Sequence, residues 1–125
     1  MPEHVHLVLF PTRDDYSIAR ILQSIKQPVS RKALAFLREH RPSDLERLAT
    51  GQRRQAYQFW QKGGGYDRNI TRVETLIETV RYIHNNPVRR ALVQTAAEWR
   101  YSSAAQWEGL KAGPLTIDKR SFPVF

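Results

Sequence analysis

The chain of 125 residues contains no cysteine. Disulfides and thiolate metal sites are thereby excluded, which leaves His, Asp, Glu and Asn as possible metal ligands. Long apolar runs are missing as well. The longest, Leu7 to Pro11 and the equally long Ala33 to Leu37, fall far short of the roughly 20 residues that cross a bilayer. No basic stretch followed by an apolar one opens the sequence, so a cytoplasmic location without a membrane partner is expected. Acidic residues are the minority, twelve against twenty Lys and Arg, for a formal charge of +8. Low complexity is confined to Gly63-Gly64-Gly65, and no internal repeat occurs.

A hydrophobic content of 41% with 26% charged residues fits a folded chain rather than a disordered one, and the length predicts a single domain over residues 1–125. Basic residues are spread from Arg13 to Arg90 instead of being gathered in a tail, alongside three Trp and five Tyr. That combination is the footprint of a nucleic-acid partner; the plain alternative is a chain that is merely basic.

Alternation over His4 to Phe10 predicts a strand, with His4, His6, Val8 and Phe10 on one face and Val5, Leu7 and Leu9 on the other. Two imidazoles on one face are half of a divalent-metal site. They equally suit the polar side of an edge strand. Asp14 or Asp15 can cap a helix carrying Ile18, Ile21, Leu22 and Ile25, which Gln27-Pro28 is expected to stop. Ser30 then caps a second helix with Leu34, Phe36 and Leu37, and Ser43-Asp-Leu-Glu46 reads as the capping box of a short third one ended by Gly51. Residues 56–70 read as irregular or short extended pieces around Phe59-Trp60. A strong helix is predicted from Thr71 to Asn86, with Val73, Leu76, Ile77, Val80 and Ile83 on one stripe and Pro87 as its stop. Trp99-Arg-Tyr-Ser-Ser103 is placed to start another short helix before a proline-punctuated end. One strand cannot make a sheet, so the partners of His4–Phe10 must come from residues 56–70, from a second copy, or from chain preceding this sequence.

At about 100° per residue, Tyr82 falls opposite the apolar stripe of the Thr71–Asn86 helix, with Asn86 one turn further on beside it. A phenol turned away from the stripe is free to act as a nucleophile or to donate a hydrogen bond; a plain surface tyrosine is the alternative. His84, two residues on, sits off that face, where a structural contact is expected, and His40 ends a helix, where a cation is favourable. Phe59, Trp60, Trp99 and Trp107 read as core before base-stacking platforms. Arg89 and Arg90 are the best phosphate contacts, or else a solvated pair, and Asp67 with Arg68 reads as an ion pair before the helix.

Taken together, His4-Val5-His6, Phe59-Trp60-Gln61, and Tyr82-Ile-His-Asn-Asn-Pro87-Val followed by Trp99-Arg-Tyr-Ser-Ser103 resemble the tyrosine transposases of the HUH class. The resemblance is to the branch associated with repetitive extragenic palindromes, over residues 1 to about 104. It implies an α+β fold, an incomplete ferredoxin-like domain that is mostly helical here, with the His-x-His strand at its N-terminus. His4 and His6 would bind Mg²⁺ or Mn²⁺ with Asn86 as third ligand, an oxygen donor suited to these hard ions. Tyr82 would be the nucleophile that nicks single-stranded DNA through a 5′-phosphotyrosine link and carries out strand transfer. Arg68, Arg81, Arg89 and Arg90 are the DNA-binding candidates. The partner would be single-stranded or hairpin-forming DNA, and the protein a monomer or homodimer. Family members carry a strand, a helix and a strand before the His-x-His strand; here these are missing, as for a start placed at an internal Met. A non-catalytic hairpin-binding remnant and a metal-dependent hydrolase with a water nucleophile are the rival readings.

Overall fold

A computed structural model describes residues 1–63, 65–110, 113–114 and 116–122. Gly64 and Pro123, which belong to the predicted glycine run and proline-punctuated end, lie outside the described residues. Among the described residues there are four α-helices, one 3₁₀ turn and a two-stranded antiparallel sheet, a small α+β chain. Contacts divide it into two compact units. One is Arg13–Asp67; the other joins Met1–Thr12 to Arg68–Phe125.

In the first of these, helix α1 runs unbroken over Ile18–His40, through Pro28. The two separate helices expected around Gln27-Pro28 and Ser30 are therefore one. Pro28 removes a single N–H and forces a local adjustment, but half-buried positions continue across it at spacings of three and four, from Leu22 through Lys26 and Ser30 to Leu34 and Leu37. The cap is Ser17, whose side chain accepts from the Arg20 N–H at 3.4 Å; Asp14 and Asp15 stay outside, with Asp15 3.5 Å from Arg13. Helix α2, Pro42–Glu46, starts at a proline whose missing N–H costs nothing there, so Ser43 lies within it and caps nothing.

Beyond α2, strands β1 (Ala49–Gln52) and β2 (Gln55–Tyr57) pair as a hairpin around Arg53-Arg54, with Ala49 opposite Tyr57 and Gln52 opposite Gln55. Gly51, expected to end a helix, sits instead at the irregularity in β1 with φ of 70°; a bulged strand needs such a residue where the backbone turns left-handed. The Trp60 indole donates to the Lys26 carbonyl at 2.9 Å, tying the segment after the hairpin to the middle of α1.

In the second unit, helix α3 spans Val73–Arg89 and passes Pro87 by one short turn. Its end is closed by Arg90 N–H to Asn86 O, Ala91 N–H to Val88 O and Leu92 N–H to Pro87 O. Ala91 at φ 53° makes this turn in the manner of a left-handed helix cap. The 3₁₀ turn Ala96–Glu98 packs on both α3 and the short helix α4, Ala104–Trp107. Thr95 and Glu98 form a true capping box there, with Glu98 accepting from the N–H groups of Gln94 and Thr95.

The segment His4–Phe10 corrects the sequence reading most sharply. It is not a strand: among the described residues the sole ladder joins β1 to β2. Alternation predicts which way side chains point, but a strand needs a partner for its backbone groups. Accordingly Val5, Leu7 and Leu9 remain 59%, 47% and 44% exposed.

Candidate metal and tyrosine site

Residues two apart in an extended segment point to one side, and His4 and His6 do meet. Their Nε2 atoms face each other at 3.0 Å, with the rings edge to face at 4.7 Å. From the last turns of α3, Asn86 reaches the same place: its side-chain nitrogen lies 2.8 Å from His6 Nε2, and the residue is only 8% exposed. Tyr82, one turn earlier on the same helix, sets its ring edge to face with His6 at 5.8 Å. It is half-exposed. The spacing 82, 86 is what brings both side chains to one face of α3.

Burial, and secondly the neighbouring His4, hold the His6 imidazole below its ordinary pKa. The ring therefore stays neutral further into the acid range than a free histidine and keeps a lone pair for a ligand. A six-coordinate ion that holds two donors at about 2.1 Å and at right angles separates them by roughly 3.0 Å. The 3.0 Å between the two imidazole nitrogens fits that requirement, whereas the 2.8 Å contact is a hydrogen bond from the Asn86 amide nitrogen to His6 Nε2. A half-turn of the Asn86 amide would present its oxygen in place of its nitrogen. Among the described residues no three His, Cys, Asp or Glu gather as a metal-holding group.

Two arginines border the cluster. The Arg89 guanidinium lies 5.6 Å from the centre of the Tyr82 ring, a cation over its face. Arg90 pairs with Glu3, and the same Glu3 oxygen is 3.6 Å from Nδ1 of His4. Arg90 is thus engaged with protein rather than standing as one of a solvated pair. Glu3 was not singled out by the sequence reading. Its position directly before His4 was the available signal, since a carboxylate there can reach the outer nitrogen of the ring.

Arg68 and Arg81 are exposed, and no hydrogen bond, ion pair or ring contact among the described residues joins either to the cluster. Nor does Asp67 pair with Arg68 among them. His84 has the structural contact expected of it: Nε2 lies 2.9 Å from the Ser103 hydroxyl, joining α3 to the cap of α4. Burial lowers its pKa, against a smaller raising effect of Glu108. His40 closes α1 with Nδ1 3.1 Å from the Phe36 carbonyl. Trp60, Trp99 and Trp107 are half-buried, while Phe59 is exposed.

No family model matches the chain, and neither curated proteins nor solved structures give a significant match. No described helix is long and apolar enough to cross a membrane.

Proposed function

We propose that this chain is the metal- and tyrosine-bearing part of an HUH-type single-strand DNA nickase and strand transferase, of the kind associated with repetitive extragenic palindromes. The observation that supports the reading is the meeting of His4 and His6 with Asn86 and Tyr82, although 80 residues separate His6 from Asn86. A ferredoxin-like sheet behind the His-x-His segment belongs to this reading too. The exposed row Val5, Leu7 and Leu9 is the side-chain face that the helices of such a fold would cover, while the backbone edges would pair with the sheet.

In this reading His4, His6 and Asn86 hold Mg²⁺ or Mn²⁺. A bound ion of this kind supplies Lewis-acid stabilisation of the charge that builds on a phosphate under attack. Tyr82 Oη attacks the phosphorus of a phosphodiester in unpaired DNA. The phenol gives up its proton, the P–O3′ bond breaks, and the departing 3′ oxygen takes up a proton. The products are a 5′-phosphotyrosine and a free 3′-OH. Because the bond energy is kept in the phosphotyrosine, a 3′-OH can reverse the step and complete a strand transfer without ATP. Arg89, whose guanidinium lies beside the Tyr82 ring, would contact a phosphate next to the one attacked. The charge of +8 favours such a polyanion.

A labelled single-stranded hairpin incubated with the protein and Mn²⁺ should give a covalent adduct that survives a denaturing gel. Tyr82→Phe should reduce it by on the order of 10³-fold or more. Cleavage that persists in Tyr82→Phe would instead point to a water nucleophile, and binding without cleavage to a non-catalytic remnant.

A further inference from the structure

The ion pair between Glu3 and Arg90 joins the two halves of the site, and nothing in the nicking chemistry itself calls for it. Glu3 precedes the first histidine; Arg90 follows the last turn of the helix that carries Tyr82 and Asn86. The Glu3 oxygen that takes the Arg90 guanidinium is also the one 3.6 Å from His4 Nδ1. At 3.6 Å Glu3 and His4 are within ion-pair reach, longer than a direct hydrogen bond.

An imidazole can ligate through one nitrogen only if the other carries the proton, and a carboxylate at the outer nitrogen selects that tautomer. With Nδ1–H turned to Glu3, the lone pair of His4 lies on Nε2, the atom that faces His6 at 3.0 Å. With the Asn86 amide turned so that its oxygen rather than its nitrogen faces His6 Nε2 across 2.8 Å, the lone pair of His6 is free as well. In the metal-free chain the 3.0 Å contact is a hydrogen bond for which one ring carries its proton on Nε2, and a cation takes the place of that proton. The carboxylate therefore makes the pair of histidines a better cation site than two freely tumbling rings.

We propose that Glu3 is the positioning residue of the metal site, fixing the tautomer and orientation of His4, and that Arg90 clamps Glu3 so that the histidine segment is held in register with α3. This rests on the metal reading given above. It assigns Arg90 a role within the protein, in contrast to the phosphate contact expected from sequence.

Mn²⁺ binding to the full chain, followed by the loss of the free-ion electron paramagnetic resonance signal, tests it without DNA or turnover. Glu3→Gln keeps size and removes charge; it should weaken Mn²⁺ binding by about 10- to 100-fold, with the melting of the metal-free protein unchanged. Glu3→Asp should recover part of the loss, and Arg90→Gln should weaken binding in the same direction by less. Mn²⁺ affinity within twofold of wild type in both Glu3→Gln and Arg90→Gln overturns the assignment. So does a loss matched by an equal fall in metal-free melting, which would make the pair merely structural. A wild-type chain that takes up no Mn²⁺ removes the metal site and this role together. Normal uptake by wild type with unchanged uptake by Glu3→Gln removes only the role.

Discussion

Asn86 is the residue on which the candidate site turns. A buried amide must find partners, and at the end of α3 its partner is an imidazole from a segment far away in sequence. Asn86→Ala should lower stability by about 1–3 kcal/mol, since the site loses a buried hydrogen bond, and should abolish Mn²⁺ uptake. Urea unfolding and the resonance assay read these two effects separately. Glu98 provides the pH dependence that can be worked out most simply. Its carboxylate accepts from the Gln94 and Thr95 N–H groups, and these bonds hold its pKa below the ordinary 4.5. A group with a depressed folded pKa contributes stability above its unfolded value, and the contribution is lost as pH falls through the folded one. Glu98→Gln should therefore melt at a lower temperature than wild type at pH 6, and the difference should shrink towards pH 3.

Among the elements, α1 shows how far local signals can be trusted. Proline is a strong stop signal, yet Pro28 lies inside a helix of 23 residues. Half-buried positions continue on both sides of it, Ile18, Ile21, Leu22 and Lys26 before and Ser30, Ala33, Leu34 and Leu37 after, and that burial outweighs the penalty of one broken bond. Pro28→Ala should thus stabilise the protein by about 1–3 kcal/mol in urea unfolding, as long as the helix bears no bend that the fold requires. Ser17→Ala should cost about 1 kcal/mol in the same measurement, because Ser17 is the true cap; Asp14→Ala and Asp15→Ala should cost little. The capping box at Thr95–Glu98 escaped notice because it opens only a three-residue turn without a periodic apolar run. By contrast α3 was legible almost to its ends, since five apolar residues recur at helical spacing. Its extension past Pro87 was not, because it depends on carbonyls satisfied by the turn through Ala91.

Across the whole molecule, charge is abundant and core is scarce. Leu45, Pro87 and Ala104 are the buried apolar residues among those described. A charge of +8 spread over the chain makes any DNA binding strongly salt-dependent. In a titration of single-stranded hairpin DNA, Arg89→Ala should reduce the slope of log K against log[salt] by about one if Arg89 meets a phosphate. An unchanged slope would place the phosphate contact elsewhere on the basic surface.

The sequence by itself determined the net charge, the absence of thiol chemistry, the phase of α3 and the pairing of Tyr82 with Asn86 on one face. Each of these depends on composition or on spacing within one element, where geometry follows from the backbone period. Only the tertiary structure decided that His4 and His6 meet Asn86, that Glu3 stands between His4 and Arg90, and that His4–Phe10 forms no strand. These are contacts, or the lack of them, between segments far apart in the chain. No local period encodes which distant group will satisfy a ring nitrogen or an open backbone edge.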